Sequence, residues 1–252
     1  MDKPLFGFGV EGGVKLFTPS FSKDFFSSIG NKGSSDLLAI GVKRLFRKDE
    51  MIFHVGSSSD DVYILLNGRV KVFELSQEGK EVILWFCFPG ELFGLSEVMR
   101  RDHRLVNALA CCPVEVLAIK QADFEQYLYA NPASAMQVIE LLSSRLRELG
   151  DVLLHLASDD VTSRVVKLIA RLANRYGTCN SKGIRLDIPL THQEMADMIG
   201  ASRQTVTTVL GALKKQGLLR TEQRTIYIEN LQWIESFANK ETGRKLSQQQ
   251  SA

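Results

Sequence analysis

Between Val42 and Ile119 the apolar residues fall into short runs separated by turn-forming residues. The runs are Met51–Val55, Asp61–Leu66, Val70–Leu75, Glu81–Phe88 and Val114–Ile119, with Gly56, Asn67-Gly68, Glu78-Gly79 and Pro89-Gly90 between them. Branched and aromatic side chains suit a pleated, half-buried surface, so each run reads as a strand. Asn67-Gly68 is the most specific signal, because both residues tolerate the positive φ of a two-residue hairpin turn. Short strands at this spacing predict an all-β barrel or sandwich over residues 36–124.

The period then changes. Ile139, Leu142, Leu146, Leu149, Leu153 and Leu156 are spaced 3, 4, 3, 4 and 3 apart. A seam held this strictly predicts a long helix (125–158) whose apolar stripe meets a second copy of the chain; the alternative is a helix lying on the β domain. Gly150 interrupts the helical run and costs about 1 kcal/mol relative to Ala, marking a pliable point or a close backbone approach. Ser158-Asp159-Asp160 reads as a hinge. Asp159-Asp160 caps a helix from Val161 to about Tyr176, with Val165, Leu168, Ile169 and Leu172 inward.

After a strand-like stretch at Ile184–Pro189, Thr191-His-Gln-Glu194 has the form of a capping box. The helix it starts should bury Met195, Ala196 and Ile199 and stop at Gly200, the residue suited to a left-handed C-terminus. Ser202 then caps a second helix, to about Gln216, with Val206, Val209, Leu210 and Leu213 on its apolar face. Its other face begins with Arg203, Gln204, Thr207 and Thr208. Arg can fork onto guanine, Gln can pair with adenine, and Thr offers a hydroxyl and a methyl to thymine. Two strands, Leu218–Arg220 and Thr225–Ile228, flank Thr221–Arg224 as a wing. The order of cap, turn, polar-tipped helix and wing predicts a winged helix-turn-helix at 159–235 that reads double-stranded DNA. Thr191, Ser202, Lys214 and Arg224 join the four base-reading candidates as expected DNA contacts.

Composition adjusts this picture only locally. The 252-residue chain has a formal net charge of +2, so affinity for a polyanion requires local concentration of charge. Residues 203–224 supply it, with five basic residues (Arg203, Lys214, Lys215, Arg220, Arg224) against Glu222 alone. The Gly- and Ser-rich residues 1–35 read as a loosely ordered arm, and 236–252 as a flexible tail. Gly7, Gly9 and Gly12 match GxGxxG without a preceding strand, which we read as chance. No secretory signal or membrane-length apolar run is visible. The four cysteines, Cys87, Cys111, Cys112 and Cys179, form no CxxC pair, which suits a reducing cytoplasm and no metal site. No P-loop, HExxH or nucleophile elbow points to an enzyme.

Over about residues 40–235 the chain resembles the Crp/Fnr family of bacterial regulators. The resemblance rests on Val62-Tyr-Ile-Leu-Leu-Asn-Gly-Arg-Val-Lys-Val72, Pro89-Gly-Glu-Leu-Phe-Gly94, the hinge Asp160-Val-Thr and the helix-turn-helix Leu190–Val206. It implies an α+β chain: an N-terminal antiparallel β-roll, jelly-roll-like, then a long dimerisation helix and a C-terminal winged helix-turn-helix. It also implies a homodimer on a two-fold-symmetric operator, with RNA polymerase as a further partner, and a small-molecule effector sensed near Glu91, Gly94, Ser96, Arg104, Leu149 and Gly150. Cyclic-AMP-binding members carry Gly-Glu-Leu and then Arg-Ser; here the stretches read Gly94-Leu95-Ser96 and Arg104-Leu105, and the adenine-bonding helix positions are Leu149 and Gly150. A phosphate buried there would be poorly paired, which disfavours cyclic AMP. The absence of cysteine from residues 1–86 disfavours the family's iron–sulfur cluster. Haem stays as an alternative, with His54, His103, His155 and Cys87 as candidate ligands, as does gating by a partner protein or by thiol oxidation at Cys111-Cys112. At the second base-contact position, where the family often has Arg, this chain has Thr208, which implies a different half-site.

Overall fold

A computed structural model of the chain describes residues 24–95, 102–180, 183–186, 188–222, 225–230 and 233, without the side chains of 174, 179 and 180. The β-roll is built from two four-stranded sheets. One has the order β1 (Val42–Phe46), β8 (Val114–Lys120), β3 (Asp61–Asn67), β6 (Leu92–Phe93). The other runs β2 (Met51–Phe53), β7 (Asn107–Ala110), β4 (Val70–Leu75), β5 (Glu81–Cys87). Five strands match the apolar runs; β1, β6 and β7 are additional. Asn67-Gly68 turns the chain, with Gly68 at φ 94°, but not as the expected hairpin: β3 and β4 do not pair and lie in different sheets, so the turn carries the chain from one sheet to the other.

Strand β3 reads as a continuous apolar run because both of its faces are buried. Tyr63 and Leu65 point between the sheets, packing with Val70, Val72, Phe93, Val116 and Ala118. Val62 and Ile64 point the other way, into a layer with Leu117, Ile119, Phe124, Val138 and Leu141. Helices supply that outer layer: α1 (Phe25–Ser28), α2 (Gly30–Ile40), α3 (Gln121–Ala130) and α4 (Pro132–Ser158).

Two expectations change here. Residues 25–35, read as part of a loose arm, are helical, with Phe25 and Leu37 buried. The local composition hides this because packing, not propensity, holds these helices. A Cβ on Gly33 would come within 2.8 Å of the Tyr127 hydroxyl, so Gly is needed where α2 meets α3. Residues 1–23 and 234–252, which include most of the expected arm and all of the expected tail, lie outside the described residues. The segment 125–158 is not one helix either. It breaks at Asn131, and α4 starts with Pro132 at its first turn, where a missing N–H costs nothing. Helix α4 then runs through Gly150 without a break.

The C-terminal domain comprises α5 (Val161–Tyr176), α6 (His192–Ile199), α7 (Arg203–Lys215) and a sheet of order β11 (Leu219–Glu222), β12 (Thr225–Ile228), β10 (Gly183–Leu186), β9 (Gly177–Asn180). Val165, Leu168, Ile169 and Leu172 face inward as the spacing predicts. Strand β9 was not foreseen. Phe73, Ile83 and Phe86 of the roll share one contiguous core with Met195, Ala196 and Ile199 of α6, so the two domains are packed together.

Candidate nucleic-acid interface

The helix-turn-helix forms from local interactions. Thr191 Oγ1 accepts the Glu194 N–H at 3.1 Å and Glu194 Oε2 accepts the Thr191 N–H at 2.7 Å, completing the capping box. Gly200 ends α6 in the left-handed region at φ 61°. Ser202 caps α7 by accepting the Thr205 N–H at 3.0 Å. Val206, Val209, Leu210 and Leu213 are buried, which turns the opposite face outward. Ser202, Arg203, Gln204, Thr207, Thr208 and Lys214 are all exposed there, and Thr191 is half-buried at the entrance to α6.

The electrostatics are narrower than the residue count suggests. Arg220 does not add a free charge to the wing: it pairs with Glu222 and donates through Nε to Glu229 at 3.1 Å, with its guanidinium 4.1 Å over the Tyr227 ring. Arg224 lies outside the described residues. Arg203, Lys214 and Lys215 therefore carry the described positive face. Arg203 and Lys214 line a groove of about 600 Å³ with His192, Gln193 and Thr221. Burial, with the cations Lys214 and Arg203 nearby, holds the His192 imidazole below its usual pKa. His192 follows the cap Thr191 directly, and its Nδ1 lies 2.8 Å from Thr207 Oγ1, a contact across 15 positions that periodicity does not signal.

The expected effector residues do not form one cluster. Arg104 is buried, donating from Nη1 to Gly94 O at 2.7 Å and from Nη2 to Asp61 O, with its guanidinium 4.3 Å over the Phe53 ring. Glu91 turns to a different partner. Its Oε1 accepts from Arg175 Nη2 of α5 at 2.7 Å, and Arg175 Nη1 also reaches Glu148 Oε1 of α4 at 3.2 Å. Burial works against the Arg175 charge, but Glu91, Tyr176 and Glu148 outweigh it and hold the guanidinium above its usual pKa. Leu149 lines a cavity of about 40 Å³ at this junction with Trp85, Arg145, Arg171 and Arg175. Gly150 is exposed, and Ser96 lies outside the described residues. Of the haem candidates, Cys87 is sealed in the roll core, its thiol pushed up to about 12 by burial. His103 is exposed, and His54 bonds the Val55 carbonyl at 2.9 Å. Those three do not suit a haem iron; the fourth candidate, His155, is half-buried on α4.

A second junction was likewise not visible in sequence. Arg69, just after the Asn67-Gly68 turn, donates from Nη2 to Glu194 Oε1 at 2.8 Å and from Nη1 to Pro189 O at 2.8 Å. Its guanidinium also stacks 4.8 Å over Phe86.

Comparison with known proteins matches this architecture. Residues 43–131 match the cyclic nucleotide-binding domain family and residues 163–237 the Crp-like helix-turn-helix domain. The chain is 31% identical over 191 residues to the global nitrogen regulator of Synechocystis, covering 75% of this chain and 85% of that protein. It is 28% identical over 185 residues to the CRP-like cAMP-activated global transcriptional regulator of Mycobacterium tuberculosis, covering 73% and 83%. Among solved structures, a CooA mutant from Carboxydothermus hydrogenoformans superposes with a TM-score of 0.70 at 26% identity, covering 80% of this chain and 89% of that one. With a cyclic nucleotide-binding-like roll, a long helix and a Crp-like helix-turn-helix in this order, the chain belongs to the Crp/Fnr family of DNA-binding transcription regulators, which are not enzymes.

Proposed function

We propose that the chain acts in the cytoplasm as a homodimeric, sequence-specific regulator whose affinity for a two-fold-symmetric operator is gated by an effector sensed at the roll and long helix. The observation that carries this reading is the capped helix α7, with its apolar face buried and Arg203, Gln204, Thr207 and Thr208 turned outward. Two copies would place two such helices in successive major grooves about one helical turn apart. Ser202, Thr191, Lys214 and Arg224 are assigned to the phosphates, and RNA polymerase to the bound dimer as partner.

Dimerisation is supported by the seam. Ile139, Leu142, Leu146, Leu149, Leu153 and Leu156 are between 39% and 73% exposed in the single chain, an apolar stripe too continuous to leave in water. Gating is supported by Glu91, one of the expected effector-site residues, which bonds α5 of the DNA-binding domain through Arg175. A ligand that competes for Glu91 would have different affinities for the docked and released domain, which is what population shift requires. Gly94, Ser96, Arg104, Leu149 and Gly150 complete the proposed sensing region.

A gel-shift series with Arg203→Ala tests the assignment. Loss of a bidentate base contact should cost about 1–3 kcal/mol of discrimination, read as a roughly five- to 150-fold loss of operator preference. Unchanged affinity and preference would sink it. A second reading, thiol gating, is favoured by the position of Cys111, whose amide donates to Arg69 O at 2.8 Å beside the contact between roll and helix-turn-helix. Operator affinity that follows thiol oxidation and ignores exhaustive dialysis would select that reading.

A further inference from the structure

Recognition helix α7 carries two exposed threonines, Thr207 and Thr208, whose hydroxyls are already committed. Thr207 Oγ1 donates to Arg203 O at 2.9 Å, and Thr208 Oγ1 donates to Gln204 O at 3.0 Å. Each bond runs back one helical turn and draws the oxygen against the backbone. A threonine hydroxyl has one proton, so neither side chain keeps a donor for a base edge. With Oγ1 turned inward, the Cγ2 methyl becomes the outermost group of each exposed side chain.

Thr207 is held in this position from a second direction. Its proton goes to Arg203 O, so its contact with His192 Nδ1 at 2.8 Å places the hydrogen on the imidazole, which donates to Thr207 Oγ1. His192 is the first residue of α6, so the bond crosses the helix-turn-helix from one helix to the other. Nδ1–H persists whether the ring is neutral or protonated. The hold is therefore indifferent to the charges that face the ring, Lys214 and Arg203 of α7.

We infer that His192 is a positioning residue for sequence readout: by fixing Thr207 with its methyl outward, it makes α7 read a thymine C5-methyl in the major groove by apolar contact instead of a hydrogen-bonding base edge. The inference rests on the DNA-reading function proposed above. Thr208 presents its methyl in the same manner without an imidazole partner, so the two positions differ in how firmly they are held. Apolar contact between a threonine methyl and the thymine methyl is a recognised mode of major-groove discrimination.

The test uses the full-length protein. An operator is selected from a random duplex library, and each thymine is then replaced singly by deoxyuridine, which removes only the C5-methyl. Anisotropy titration should show one or two adjacent positions per half-site where deoxyuridine weakens binding about fourfold, the worth of one buried methyl. At the base facing Thr207, His192→Leu and Thr207→Ser should each bring the thymine-to-deoxyuridine ratio to near one. His192→Asn, which puts an amide N–H where Nδ1 stands, should restore it, and the ratio should be the same at pH 6 and pH 8. A selected operator insensitive to deoxyuridine at every position, or a ratio unmoved by His192→Leu, overturns the inference and leaves DNA reading intact. Failure to select any sequence overturns the DNA-reading function itself, and the inference with it.

Discussion

Arg69 of the β-roll donates to Glu194 at 2.8 Å, and Glu194 is the residue whose other carboxylate oxygen closes the capping box of α6. One carboxylate therefore starts the helix-turn-helix and ties it to the β-roll. Both side chains are about 15% exposed, 14% for Arg69 and 16% for Glu194, so the pair is shielded from most solvent screening. Glu194→Gln should preserve the cap, since Gln serves in a capping box, and lose the ion pair. A urea-unfolding double-mutant cycle with Arg69→Met should return a coupling of about 1–3 kcal/mol. A coupling below about 0.3 kcal/mol would show that the pair is incidental to the docking.

The Arg175–Glu91 pair makes a stronger prediction because Glu91 is more deeply buried, with Oε2 lacking any hydrogen-bond partner among the described residues. Arg175→Met strands Glu91 and Glu148 at the junction, which should cost about 3–5 kcal/mol. Adding Glu91→Gln should recover part of that loss, because a neutral amide is cheaper to bury than an unpaired carboxylate. Equal stability of the single and double variants in denaturant titration would contradict this account.

Leu146 and Leu153 are the most exposed residues of the seam, at 73% and 69%. Leu146→Glu puts two unpaired carboxylates into a symmetric interface, a penalty of about 3 kcal/mol or more, equivalent to at least a hundredfold weaker association. Sedimentation should show a folded monomer with its circular dichroism retained. A dimer of undiminished affinity would place the interface elsewhere.

Cys87 is wholly buried between the sheets, and desolvation pushes its thiol up to about 12 from an ordinary 9.0. Iodoacetamide at pH 8 should therefore leave Cys87 unmodified in the folded protein and label it on unfolding. The sign for stability follows from linkage: above pH 9 the unfolded chain releases this proton while the folded chain retains it, so stability falls as pH rises from about 9 towards 12. Rapid labelling of native Cys87, read by peptide mass, would mean that the roll opens there.

The helix-turn-helix was legible because its determinants are local. Thr191 and Glu194 lie three residues apart, as do Ser202 and Thr205, and Gly200 needs only its own φ. The exposed face of α7 follows from the spacing of Val206, Val209, Leu210 and Leu213. The seam on α4 was legible for the same reason. Helices α1 and α2 were not, since Gly30 and Gly33 argue against a helix, and the need for Gly33 shows only once Tyr127 is brought alongside.

What the sequence by itself determined was the order of elements, the faces of the helices and the set of side chains that reach outward, all properties of periodicity and capping within a few residues. Tertiary structure alone decided which charges remain free and which are spent. Arg69 meets Glu194 across 125 positions and Arg175 meets Glu91 across 84, whereas Arg220 is neutralised by Glu222 and Glu229. Ionic and hydroxyl pairs at such separations leave no periodic trace, because Arg, Glu, Thr and His occupy surface positions equally well without a partner. Only the folded chain, by placing β4–β5 against α6 and α6 against α7, determines that Glu194 joins two domains and that Thr207 meets His192.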